Sequence, residues 1–191
     1  MAPKRKNANL KGSKPNDTDE AAVEILPYLF LGPRSAATEP FLASHDITHV
    51  LSIGATPVSP LPQTITYTRL PLLDSPRASL EKVYDGVAQA INAARDVKGK
   101  ILVHCSAGMS RSPTVITAYL MKEHGMTLKE ALGMVIRKRP AVSPHPGLFV
   151  QLKAMELELR GTESLGEVES LPLQRERKMA IFAEGQDAVT S

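Results

Sequence analysis

At 191 residues, with 42% hydrophobic and 23% charged side chains, the chain has the length of one domain and the composition of an ordinary soluble protein. No apolar run approaches the ~18 residues of a membrane span, and the basic N-terminus lacks the apolar core of a signal peptide, so an intracellular chain with no membrane partner is predicted. The net charge of +3 divides as +2 over residues 1–21, +4 over 22–160 and −3 over 161–191; this falls short of the basic stripe of a nucleic-acid binder, and the single cysteine excludes an intrachain disulfide or a multi-thiolate metal site.

Residues 1–21 are polar and hold Lys4-Arg5-Lys6. They carry too little apolar surface to offset chain entropy, so a disordered tail is predicted. The triplet reads as a nuclear-import signal, a docking peptide or a solvated charge run. Order is predicted from Ala22. Residues 23–26 and 28–31 read as strands parted by Pro27, 35–44 as a short helix, and 48–53 as a buried strand closed by Gly54. A proline-rich turn (Pro57, Pro60, Pro62) precedes an alternating strand at 65–70.

Ser79 caps a predicted long helix with Leu80, Val83, Tyr84, Val87, Ile91 and Ala94 at helical spacing, stopped at Lys98-Gly99. Residues 100–103 form an almost wholly apolar strand, as expected at the centre of a covered sheet. A loop follows, then a buried helix through Pro113 and 115–121, ended by Gly125. Thr127-Leu128-Lys129-Glu130 is a capping box opening the next helix, with Arg137-Lys138-Arg139 at its C-terminus and Pro140 as its stop. A last helix from Pro146 is predicted to bury Leu148, Phe149, Leu152 and Leu159. The alternation predicts an α/β three-layer sandwich with a mainly parallel sheet in a domain spanning 22–160. Residues 161–191 read as an acidic, largely flexible tail, with a hint of helix within 171–183.

The chemistry concentrates in Val103-His104-Cys105-Ser106-Ala107-Gly108-Met109-Ser110-Arg111-Ser112, where an apolar strand runs into a tight loop and a helix leaves it. Open α/β sheets bind ligands at the carboxyl ends of their strands. Strand-to-helix context, with Gly108 mid-loop, suits a nest of main-chain amides around an anion. Cys105 is the candidate nucleophile. A lone cysteine is most often a buried, inert side chain, and the thiolate is the reactive form. A helix N-terminus contributes only about 0.3–1 kcal/mol, so Arg111 and the amides of residues 106–111 are expected to supply most of the stabilisation, with Ser112 able to donate its hydroxyl. Arg111 would grip two phosphate oxygens in a fork that lysine cannot reproduce.

His104-Cys105-x5-Arg111-Ser112 resembles the signature of the dual-specificity protein phosphatases, within the protein tyrosine phosphatase superfamily. The resemblance covers roughly residues 23–159, taking in residues 47–51, Ala118-Tyr119-Leu120-Met121, Thr127-Leu128-Lys129-Glu130-Ala131, and Arg139-Pro140 with Ser143-Pro144. It implies a compact catalytic domain in which Ser106, Ala107, Gly108, Met109, Ser110 and Arg111 bind phosphate. It also directs attention to Asp74, 31 residues before Cys105; by itself, Asp74 before Ser-Pro reads as a turn residue. The implied reaction hydrolyses phosphotyrosine and phosphoserine/threonine through a phosphocysteine, with Cys105 as nucleophile, Asp74 as general acid and Ser112 assisting. It calls for neither metal nor cofactor.

His104 is expected to brace the loop rather than act as a base. His145 stands where the family usually has an asparagine that helps fix the active-site loops. Neutral Met109 and Ser110 differ from the lysines of relatives that prefer inositol phospholipids. About 20 residues precede the domain, which predicts an atypical, single-domain member; a monomer in cytoplasm and nucleus is expected besides. Phosphoprotein substrates, and protein kinases as candidate partners, follow from the resemblance. A low-pKa cysteine predicts redox sensitivity. The competing readings are a catalytically weak phosphoprotein- or kinase-binding module, and sulfur transfer on a rhodanese-like domain. The trio of Cys105, Arg111 and Asp74 argues against the first, and Asp74 with the Arg111-Ser112 pair against the second.

Overall fold

The computed structural model describes residues 22–183; the expectations for the N-terminal tail and its basic triplet lie outside the described residues. Five strands form one sheet in the order β1 (Val23–Leu26), β2 (Leu29–Pro33), β5 (Lys100–Cys105), β3 (Ile47–Ile53) and β4 (Thr66–Leu70). Only the β1–β2 hairpin is antiparallel. Ile101, Leu102 and Val103 of the central strand β5 are at most 1% exposed, as befits a strand covered on both faces.

Alternation along each strand divides the core in two. Leu29, Leu31, Leu51, Ile53, Ile101 and Val103 face one layer of helices: α2 (Glu81–Asp96), α3 (Arg111–Glu123), α4 (Leu128–Lys138) and α5 (Pro146–Arg160). Phe30, Val50 and Leu102 face a smaller cluster beneath a 3₁₀ turn at Arg34–Ala36 and the short α1 (Glu39–Ser44). This is the predicted three-layer α/β sandwich with a mainly parallel sheet. The predicted single helix at 35–44 is split because Thr38 is extended and Pro40 can only occupy a first turn.

Local chemistry sets the helix ends. The capping box of α4 is formed as the sequence predicts, with Thr127 accepting from the Glu130 amide and Glu130 reaching back to the Thr127 amide. The predicted cap at Ser79 is displaced: Leu80 is the N-cap of α2, Ser79 accepts only at 3.4 Å from the Lys82 amide, and the Leu80 amide is satisfied by Gln151 Oε1 at 2.8 Å. On α5, Leu159 is 45% exposed rather than buried, and Glu156 occupies the inward position at 1%. Glu156 is tolerated there because its carboxylate accepts from the Leu128 amide at 2.7 Å and the Ser164 amide at 2.8 Å.

The second of those bonds begins a departure from the predicted flexible tail. Residues 161–183 pack against the domain and end in a short helix, α6 (Arg175–Ile181). Leu165 and Phe182 are 7% and 4% exposed and join the main core. Gly133, in the middle of α4, makes room for Phe182: a Cβ there would meet the phenylalanine ring at 3.2 Å. A mid-helix glycine costs about 1 kcal/mol against alanine, and here the bare position seats an aromatic ring. The packed body therefore extends past 160, and residues 184–191 lie outside the description. No described helix is long and apolar enough to cross a membrane.

Candidate active site

The loop between β5 and α3 is shaped by donors that catch its carbonyls from outside. Arg34 N donates to Ser106 O at 3.1 Å and Ser143 N to Met109 O at 2.7 Å. Arg139 donates through Nη2 to Ala107 O at 3.1 Å and through Nε to Gly108 O at 3.0 Å. With the carbonyls held outward, the intervening N–H groups turn to the loop's concave side, where an anion can sit. Arg139 is 2% exposed. As a sequence feature it reads as a cation at a helix C-terminus; in the fold it is the C-cap residue of α4 and carries its guanidinium beneath the loop. Only its place directly before Pro140, in a segment resembling the phosphatases, hints at this.

Gly108 has φ +68°, and a Cβ would lie 2.6 Å from the Gly32 carbonyl carbon. The backbone that approaches it is the end of β2. Ser106, Ala107 and Met109 form the exposed rim, and Ser110 is half-buried.

Cys105 closes β5 and is 2% exposed. Burial pushes its thiol up, but more than balancing this are the Ser112 hydroxyl, the Ser112 and Gly108 amides and the Arg111 charge; the thiol is held below its ordinary value. Ser112 Oγ donates to the sulfur at 3.3 Å. Of these favourable causes the Ser112 hydroxyl is the largest single one, followed by the two amides and the Arg111 charge.

Arg111 opens α3 and folds back across the loop. Its Nη1 donates to Gly54 O at 3.0 Å and its Nη2 to Ser106 Oγ at 2.9 Å. Its Nε is buried without a hydrogen-bond partner, and each terminal nitrogen keeps a second N–H. Those donors fit an oxyanion. Gly54, read from sequence only as a strand end, leaves the space for this arrangement: a Cβ there would stand 2.6 Å from Arg111 Nη1 and 2.3 Å from Leu72 O.

Asp74 lies on the exposed loop after β4, and its Oδ1 accepts from Ser110 Oγ at 2.5 Å. The same Ser110 oxygen accepts from the His145 amide at 2.8 Å, so one hydroxyl joins three loops. His145 is the N-cap of α5, and its Nδ1 accepts from the Gly147 amide at 3.1 Å. The ring nitrogen thus serves as the cap acceptor of α5. His104 is fully buried on the opposite face of the sheet. Its Nδ1 lies 3.1 Å from Cys105 O, which can only accept, so Nδ1 carries the proton and Nε2 accepts from Ser52 Oγ at 2.8 Å. Tyr67 in turn donates to Ser52 Oγ at 3.1 Å.

The family model for the dual specificity phosphatase catalytic domain matches residues 29–158. The chain belongs to the dual specificity phosphatase family. Dual specificity protein phosphatase 1 of Arabidopsis thaliana is 39% identical over 129 residues, which span 67% of this chain and 65% of that protein. Dual specificity protein phosphatase 1B of the same plant is 37% identical over 139 residues, 72% of this chain and 83% of that one. The crystal structure of human DUSP28 superposes with a TM-score of 0.68 at 34% identity, covering 73% of this chain and 95% of that one. The strap at 161–183 of this dual specificity phosphatase lies beyond the residues that the family model matches.

Proposed function

We propose that the chain hydrolyses phosphate monoesters of tyrosine, serine and threonine in proteins, in two steps through a phosphocysteine on Cys105. The observation that carries this is the sulfur of Cys105, to which Ser112 Oγ donates at 3.3 Å and which the Ser112 and Gly108 amides help hold below its ordinary pKa. In the first step the thiolate attacks phosphorus and the bond from phosphorus to the ester oxygen breaks. Asp74 gives its proton to the departing oxygen, an assist worth about 10²–10⁴-fold. The loop amides and Arg111 hold the equatorial oxygens as charge builds on them. In the second step Asp74, now ionised, takes a proton from water as the water attacks phosphorus. The S–P bond breaks, and the Ser112 hydroxyl stabilises the returning thiolate.

Phosphoproteins are the substrate class that family membership supports. Neutral Met109 and Ser110 on the loop favour a protein side chain over a polyanionic lipid headgroup. We take the protein to act as a monomer in cytoplasm and nucleus, with protein kinases among its partners. The test is hydrolysis of an aryl phosphate and of phosphotyrosine and phosphothreonine peptides by the purified chain and by Cys105→Ser. Turnover by the wild type alone, with a burst of leaving group, is expected. Equal residual rates would overturn the enzymatic reading and leave a phosphoprotein-binding module.

A further inference from the structure

We propose that Lys178, in the strap beyond the family's catalytic domain, is a positioning residue for the phosphate-binding loop. It acts through residues 139–145.

Lys178 is 4% exposed on α6, and its Nζ donates to Val142 O at 2.7 Å and Pro140 O at 3.2 Å. The segment it grips is the one that holds the loop. Arg139 takes the Ala107 and Gly108 carbonyls. Ser143 N takes the Met109 carbonyl, and His145 N takes the Ser110 hydroxyl that also binds Asp74. Val142, between these donors, is fully buried, and its amide closes a turn on Arg139 O at 3.0 Å. Two carbonyls fixed by one ammonium therefore set the path of a chain whose neighbouring groups tie down residues 107–110. A buried ammonium is stable only when its hydrogen bonds are made, so the lysine needs the turn as the turn needs the lysine.

The strap is docked rather than draped. Phe182 fills the space over Gly133, Arg137 Nη1 donates to Phe182 O at 3.3 Å, and Leu165 is 7% exposed. Lys153, on α5, provides a contrast against the same strap. Its Nζ binds Gly166 O and Val168 O and pairs with Glu163 at 2.9 Å, which secures the strap without touching residues 139–145.

The experiment compares wild type, Lys178→Met, Lys178→Arg and Lys153→Met in the full chain. The readouts are the pH midpoint for alkylation of Cys105 by iodoacetamide, the affinity for inorganic phosphate, kcat and KM on an aryl phosphate, and the melting temperature. Lys178→Met is expected to raise the alkylation midpoint and weaken phosphate binding by roughly 3- to 30-fold, the span of effects relayed between packed groups. Lys178→Arg restores most of both, and Lys153→Met lowers the melting temperature only. Should Lys178→Met not fold, Lys178→Gln, whose amide nitrogen stops one bond short of Nζ, takes its place, with a smaller shift in the same direction expected. Loss of melting temperature in the Lys178 variants with an unchanged midpoint and unchanged phosphate affinity would overturn the proposal. The kinetic readout rests on the phosphatase reading, whereas alkylation and phosphate binding do not. A chain without turnover would therefore sink that reading and still report on Lys178.

Discussion

Ser110 Oγ stands 2.5 Å from Asp74 Oδ1. The loop that would deliver the proton is thereby latched to the loop that would hold the phosphate, and the latch is a residue of the phosphate loop itself. Proton donor and nucleophile sit on separate segments, 31 residues apart. Their relative position therefore depends on cross-links of this kind.

Asp74→Asn keeps an acceptor for Ser110 and removes the proton. It is expected to lower kcat by about 10²–10⁴-fold on alkyl phosphates such as phosphothreonine, and by less on an aryl phosphate whose oxygen leaves readily. Steady-state rates on the two substrate types check this; an equal loss on both would remove Asp74 from the general-acid role.

Ser112→Ala deletes the hydroxyl that leads the stabilisation of the Cys105 thiolate. A hydrogen bond to a charged group contributes about 1.5–3 kcal/mol, so turnover at neutral pH is expected to fall roughly 10- to 100-fold. Because the thiol is held below its ordinary value, alkylation of the wild type is expected to reach its plateau at a lower pH than that of free cysteine. The variant's plateau moves up. Peroxide is expected to inactivate the wild type reversibly, because the sulfenic acid of a lone cysteine can close onto a backbone nitrogen; mass spectrometry of Cys105 with and without added thiol tests this.

His145→Asn supplies an amide oxygen in place of Nδ1 as the acceptor for Gly147 N. It is expected to leave activity and melting temperature nearly unchanged. His145→Ala removes the cap and lowers stability by about 1 kcal/mol, measurable as a drop in urea midpoint.

Burial is the main reason the His104 pKa lies below its ordinary value, so folding favours the neutral ring. The stability this contributes is complete above the unfolded pKa of about 6.5 and is lost as pH falls below it towards the lower folded value. Urea midpoints are expected to decline on acidification from neutrality, and His104→Gln should remove part of the decline. His49 is held low for the same reason, so some pH dependence remains in the variant.

Gly54→Ala is expected to inactivate more than it unfolds. A methyl group there meets Arg111 Nη1 and Leu72 O while the residue must hold φ +64°. A large fall in phosphate affinity beside a modest fall in melting temperature is the expected pattern.

The sequence alone determined the order of strands and helices, the central apolar strand and the loop that follows it. These are local properties: period two in strands, a helical spacing from Leu80 to Ala94, the capping box at Thr127 and Glu130. The clustering of Cys105, Arg111 and Ser112 was legible for the same reason, since one turn of chain joins them. Asp74 was found by resemblance, because nothing in its neighbours distinguishes a proton donor from a turn residue. Only the tertiary structure decided what holds the site in shape. Arg139 under the loop, Gly54 beneath Arg111, the Ser110 latch and the strap that carries Lys178 all depend on contacts between segments far apart in the chain. Spacing along a sequence carries no record of which carbonyl a distant guanidinium or ammonium will meet. That is settled when the sheet and its two helical layers close around their core and leave those polar groups no solvent to turn to.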